Sequence, residues 1–264
     1  MPRPPAVGGP VSNLRCILGG AGASGLGRLG FLAATAGAAD WTSLVLVSNR
    51  HVLLAHGAVP GDVVFQPRVL SDASTLRFPT DQLNPIATLE DCGFQGNYRF
   101  AFPGEPESSY FIDCATARLT CRQDPRGRGG SVLFREVARA HRFDTFAGRE
   151  LRVRKAGIDS GFTGRLVEVA ATVVDAEGGQ RHNTLVIRSL PVRGGTPRPF
   201  AAEGDSGALV IDELERALGL VWGVNLKDPM EAYACHIHPV LDCLRVTPSR
   251  QALSTRIRSV GPTS

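Results

Sequence analysis

Long apolar runs are missing from this chain. No stretch approaches the ~18 uncharged apolar residues that a membrane-spanning helix needs, so no transmembrane span and no membrane partner are expected. Cysteine pairs in C-x-x-C spacing are also missing among Cys16, Cys92, Cys114, Cys121, Cys235 and Cys243. An even cysteine count argues for disulfides only in an oxidising compartment; here the six read as buried or free thiols. Cys235, His236, His238 and Cys243 are metal-ligand types, but their spacing fits no zinc pattern, so no metal and no cofactor are expected. No dense basic block with interleaved aromatics accompanies the net charge of +4, which excludes nucleic acid as the expected partner. Lysine is scarce, with only Lys155 and Lys227 among 29 basic residues, and residues 126–130 (R-G-R-G-G) read as a solvated loop. Residues 17–27 are mostly glycine and alanine and Arg28 follows, which is a poor export signal. A cytoplasmic location is therefore expected. No repeat stands out at solenoid or propeller spacing.

What is present points to short strands. The chain has 264 residues, 43 % of them hydrophobic, enough for a sizeable core, and its 30 glycines and 18 prolines punctuate valine-rich runs. Leu44-Val45-Leu46-Val47-Ser48 reads as a buried strand. Tyr110-Phe111-Ile112-Asp113-Cys114-Ala115 reads as another, with a carboxylate inside an apolar run. Burying that carboxylate is costly unless it is paired, and a histidine N–H is the natural partner. Cys114 then faces the opposite side. Residues 71–109 read as a loop over a functional face. Residues 238–244 read as a short C-terminal helix with Pro239 at its first position.

Two motifs compete for the chemistry. Gly20, Gly22 and Gly25 spell G-x-G-x-x-G, with Asp40 where a ribose-binding acid would stand. No helical pattern follows them and strands do not alternate with helices, so a dinucleotide fold is not supported. The second motif is Gly204-Asp205-Ser206-Gly207 before the apolar Ala208-Leu209-Val210. Glycines around a serine permit a sharp turn, with backbone N–H groups converging to hold an oxyanion. Gly204 and Ser206 are the expected donors. His51 ends a strand, with His56 as its competitor, and the order His51, Asp113, Ser206 is that of the chymotrypsin-like triad, distinct from the subtilisin and α/β-hydrolase orders.

Several segments resemble the trypsin-like serine proteases related to the plant Narrow-leaf protein and their bacterial homologues. Ser48-Asn49-Arg50-His51-Val52-Leu53 is similar to that family's S-N-N-H-V-L, and Pro60-Gly61-Asp62 with Phe65-Gln66-Pro67 to its P-G-D…L-Q-P. Ile112-Asp113-Cys114-Ala115 resembles V-D-A-A, and residues 200–207 resemble F-S-x-x-G-D-S-G. Residues 234–246 follow its A-x-x-I-x-x-V-L-x-x-L-x-V. The family's K-S-G-R-T-T-G-L-T-x-G is one residue shorter in residues 155–164, which bears on the shape of the oxyanion site.

The resemblance implies an all-β fold: two antiparallel β-barrels of the chymotrypsin type with a short C-terminal helix. Residues 1–13 are expected to form a loose arm, 14–121 the first barrel, 122–130 a linker and 131–264 the second barrel with the helix. It implies a serine endopeptidase acting on protein or peptide substrates, with His51, Asp113 and Ser206 catalytic and Gly204 and Ser206 holding the oxyanion. Val221, Trp222 and Gly223 would pair with substrate backbone. Phe200, six residues before the serine, would floor the first specificity pocket and favour an apolar or small residue. A catalytically quiet protease-fold module, an activating partner and a homo-oligomer stay open.

Overall fold

A computed structural model describes residues 5–13, 15–16, 26–35, 44–66, 84–120, 136–137, 150–175, 178–191 and 198–248. The 122–130 linker and the G-x-G-x-x-G stretch lie outside these residues. In the first half the strands are β1 (Pro10–Asn13), β2 (Gly27–Arg28), β3 (Phe31–Thr35), β4 (Leu44–Ser48), β5 (Val63–Phe65), β6 (Pro85–Leu89), β7 (Phe94–Phe100) and β8 (Ser108–Leu119). A short helix, α1 (Arg50–Leu53), and a 3₁₀ turn at Ala55–Gly57 follow β4. The second half holds β9 (Glu136–Val137), β10 (Arg152–Lys155), β11 (Gly164–Val174), β12 (Gln180–Ser189), β13 (Leu209–Asp212), β14 (Arg216–Val224) and β15 (Glu231–His236). Helix α2 (Ile237–Leu244) and β16 (Val246–Pro248) close the described chain.

The strands form two curled sheets. One runs β16-β3-β4-β8-β6-β5-β1-β2, with β7 added on β8. The other runs β13-β10-β11-β12-β15-β14, and pairing of β13 with β14 closes the ring. Every described pairing is antiparallel except that of β9 with β14. Few helices accompany them, so the expected all-β double-barrel architecture with a short C-terminal helix is the one found.

Burial explains these strands. All five residues of β4 are buried, because the strand lies between β3 and β8. The long β8 changes partners along its length: Ser108 to Cys114 pairs with β7, and Ala115 to Leu119 pairs with β4 and β6. Asp113 sits one residue before that handover. A large core combines the first sheet with Leu209, Ile211, Leu220, Ile237 and Val240 of the second half, and a smaller one lies within the closed ring around Leu185, Ile187 and Phe200.

Three expectations change. The loop over residues 71–109 contains β6 and β7, whose alternation along Phe94–Phe100 follows the pleat. The loose arm over residues 1–13 is docked from residue 5 onward. Val7 is buried, Ala6 exchanges two hydrogen bonds with Gln66, and β1 pairs with β2 and β5. Last, the helix begins at Ile237, so Pro239 stands in its third position, where its missing N–H is also no loss.

Candidate active site

Asn49 leads from β4 into α1 with an extended backbone, and its side-chain amide donates to the backbone carbonyl of Asp113 at 2.7 Å. The N–H groups of Arg50 (2.6 Å) and His51 (3.2 Å) both donate to Oδ1 of Asp113. A carboxylate from β8 therefore caps α1, where exposed N–H groups favour negative charge. The other oxygen, Oδ2, faces His51 Nδ1 at 2.5 Å. The Asp113 side chain is 1 % exposed and the His51 side chain 33 %. The imidazole is thus anchored at one nitrogen and open towards solvent elsewhere. Gln95 on β7, directly opposite Asp113 in register, donates a further hydrogen bond to Oδ2 at 3.0 Å.

The serine loop is pressed against the same elements. Gly207 has φ +85°, and a Cβ there would lie 2.2 Å from Ser48 Oγ and 2.6 Å from the Arg28 carbonyl oxygen. Only glycine fits such a contact. The Ser206 carbonyl accepts from Arg28 N at 2.7 Å. A Cβ on Gly27 would touch both that carbonyl and the Val52 side chain next to His51. The structure thus brings His51 and Asp113 into direct contact and lays the Ser206 loop along the start of α1. Among the described residues no hydrogen bond joins the Ser206 hydroxyl to His51.

Backbone donors in the loop divide into two groups. Asp205 N reaches the Ala202 carbonyl, Gly207 N the Val221 carbonyl and Ala208 N the Asp205 carbonyl. Those of Gly204 and Ser206 have no acceptor among the described residues. Gly204, at φ +88°, turns the chain between them. Two unpaired amides flanking one residue are what an oxyanion site requires.

Asp205 fixes the turn from below. Its Oδ2 is 2.8 Å from Lys155 Nζ, its Oδ1 is 3.1 Å from Arg28 Nη2, and Ala202 N also donates to it. Both Lys155 and Asp205 are buried. The shortened turn after Lys155 is held by Asp159, whose Oδ2 accepts from Lys155 N and Thr163 Oγ1 at 2.9 Å each. So the turn does lie beside the serine loop, joined to it through Lys155.

The substrate-contact expectations fare unevenly. Phe200 is 1 % exposed and belongs to the second core, under Gly164 and 5.5 Å below Lys155 Nζ. Its ring offers no surface to a substrate, and the apolar preference read from it loses its basis. Val221 is also buried, and its N–H and C=O are both used by the serine loop. Trp222 and Gly223 lie past the last residue that β14 pairs with β13, Leu220, and a Cβ on Gly223 would meet open space. The Trp222 indole stacks on Tyr233 at 5.4 Å and meets Phe111 edge-on at 4.9 Å. Gln95 and Lys155 were not singled out from sequence. The signal for Gln95 was the Phe94, Tyr98, Phe100 alternation, which marks a strand able to face β8.

Among the described residues no group of three or more histidine, cysteine, aspartate or glutamate side chains could hold a metal ion. No described helix is long and apolar enough to cross a membrane.

No family model matches the chain, and no curated protein sequence matches it. Solved structures do. Protease A of Thermobifida fusca is 18 % identical with a TM-score of 0.51, covering 92 % of this chain and 97 % of its own. Nocardiopsis protease is 17 % identical with a TM-score of 0.50, covering 92 % and 97 %. A glutamic-acid-specific serine protease that uses a histidine triad in substrate binding is 16 % identical with a TM-score of 0.52, covering 92 % and 100 %. These neighbours are bacterial serine proteases of the trypsin and chymotrypsin type, and what this chain shares with them is their double β-barrel fold.

Proposed function

We propose that the chain is a serine endopeptidase, with Ser206 as nucleophile, His51 as general base and acid, and Asp113 as the group that orients His51. The carrying observation is the 2.5 Å contact of His51 Nδ1 with a buried Asp113 carboxylate that two backbone amides also hold. In the reaction Ser206 Oγ attacks a peptide carbonyl while His51 Nε2 takes the hydroxyl proton. The Gly204 and Ser206 amides receive the oxyanion, and losing one such donor typically costs about 10²–10³ in rate. His51 then protonates the leaving amine, and water hydrolyses the acyl-enzyme by the same route. The uncovered edge at Trp222 and Gly223 supports substrate pairing there as an added strand. The quoted sequence motifs support kinship with the Narrow-leaf type of protease. Among the described residues Cys92, Cys114, Cys235 and Cys243 form no disulfide, which supports a cytoplasmic setting.

A second reading, a partner-activated protease or a quiet peptide-binding module, has one observation in its favour: Ser206 Oγ and His51 are not hydrogen-bonded. Such contacts often tighten only around substrate. Labelling with a fluorophosphonate probe tests both. Wild-type labelling that Ser206→Ala abolishes supports the endopeptidase; a folded wild type that stays unlabelled rejects a resting active site and leaves the second reading.

A further inference from the structure

We propose that Gln95 is a positioning residue for the triad, fixing the plane of the Asp113 carboxylate so that Oδ2 aims at His51 Nδ1. The inference rests on the endopeptidase reading and adds a role within the same site. The Asp113 carboxylate receives four donors. Two are backbone amides of α1 and both bind Oδ1. The remaining two, His51 Nδ1 and Gln95 Nε2, share Oδ2. A carboxylate held at one oxygen can still swivel about its Cβ–Cγ bond. Gln95 supplies the second fixed point on the oxygen that His51 uses.

The geometry is built into the sheet. Gln95 and Asp113 are directly opposite each other where β7 pairs with β8, and cross-strand neighbours there are close enough for their side chains to meet. Gly93, at φ +56°, begins the turn into β7, and a Cβ there would strike the Cys114 carbonyl at 2.4 Å. This close approach brings β7 onto the start of the Asp113 segment. Asp91 accepts from Gly93 N at 2.7 Å, and Arg50 Nε bonds the Cys92 carbonyl at 2.7 Å. Thus α1 and the lead-in to β7 are tied together around the carboxylate. The Gln95 amide is the one side-chain donor on the Asp113 carboxylate besides His51 among the described residues. Its residue is otherwise exposed, so it contributes little to the core.

The test compares Gln95→Met, of similar length without a donor, with Gln95→Glu, similar in shape but presenting a carboxylate to Asp113. A positioning role predicts kcat falling about tenfold for Gln95→Met, the scale of one hydrogen bond to a charged group. It predicts a larger fall for Gln95→Glu, and KM within about twofold for both. If the residue merely filled space, Gln95→Glu would be the milder change. A second readout needs no substrate: the proton between His51 Nδ1 and Asp113 Oδ2 gives a far-downfield proton NMR signal. That signal should weaken and move upfield in Gln95→Met, because a swivelling carboxylate opens the proton to exchange with water. Unchanged kcat and an unchanged signal in both variants overturn the proposal. If the wild type takes up no phosphonate probe, the endopeptidase reading falls alone, and the NMR comparison still decides the role of Gln95.

Discussion

At Asp205 two cations, Lys155 and Arg28, meet one carboxylate beneath the serine loop. The Lys155 side chain is 8 % exposed and that of Asp205 10 %, so neither charge can turn to water instead. Removing one partner of a buried pair leaves the other uncompensated, at a cost of about 3–5 kcal/mol. Lys155→Met should therefore lower stability by an amount near the bottom of that range, because Arg28 remains. It should also reduce phosphonate labelling of Ser206 more than the stability loss explains. Urea unfolding and labelling on the same preparation check this; unchanged labelling would show that the turn keeps its shape without the lysine. Gly207→Ala is the sharper case. Its methyl group would have to displace Ser48 Oγ and the Arg28 carbonyl oxygen, and labelling should disappear even where the protein still folds.

The thiols behind Asp113 differ in a way that alkylation can read. Cys114 gives its hydrogen to Cys243 and is buried, and both push its pKa up. The same hydrogen bond pulls Cys243 down, against the partial burial that raises it. Burial pushes Cys235 well up. Iodoacetamide at neutral pH should thus modify exposed Cys92 and half-buried Cys243 first and leave Cys114 and Cys235 untouched, as peptide mass mapping would show. Rapid Cys235 modification in folded protein would contradict this core.

At the scale of elements, the β11–β12 hairpin reaches from the closed ring to the first sheet. Asn97 on β7 donates to the Gln180 carbonyl at 2.8 Å and accepts from His182 N at 3.1 Å, while Asn183, at φ +48°, donates to the Ser109 carbonyl. Arg181 lies 4.2 Å over the Phe111 ring. Asn97→Ala removes both tip contacts, so amide exchange at residues 180–182 should quicken while that of β13 stays unchanged. Equal protection before and after the change would mean that Arg181 and Asn183 hold the hairpin without Asn97.

This contact between halves also shows where sequence reading stopped. Glycine around Ser206, a carboxylate in the apolar 110–115 run and a histidine at the end of Leu44–Ser48 all carry local signals, so the strands around them were legible. Gln95 was not, because a polar residue on a half-exposed strand looks like loop and its meaning lies in its partner across β8. Phe200 was misplaced for a related reason: spacing from Ser206 locates a residue along the chain but does not say whether core side chains cover it. The docked N-terminal segment was hidden by prolines, whose missing N–H groups suggest a tail until Gln66 appears opposite Ala6.

Over the whole molecule the two halves share a core, so unfolding should be one cooperative step. Its dependence on pH follows from the buried thiols. Cys114 and Cys235 have pKa values raised above the ordinary 9.0. Their contribution is fully present below that value and is lost as pH rises above it, when the unfolded chain releases protons that the folded one retains. The melting temperature should decline above about pH 9, and the decline should be shallower in Cys235→Ala, a comparison scanning calorimetry can make.

Strand β16 pairs with β3, with Val246 opposite Thr35, so the first sheet takes its last member from the far end of the described chain. During synthesis β3 must wait with one side unsatisfied until nearly all of the second half has emerged. Such distant pairings fold late. A nascent chain carrying His51, Asp113 and even Ser206 would still lack its final strand. The timing of translation itself would then keep the first sheet, and the His51–Asp113 pair it carries, incomplete while the polypeptide is still on the ribosome.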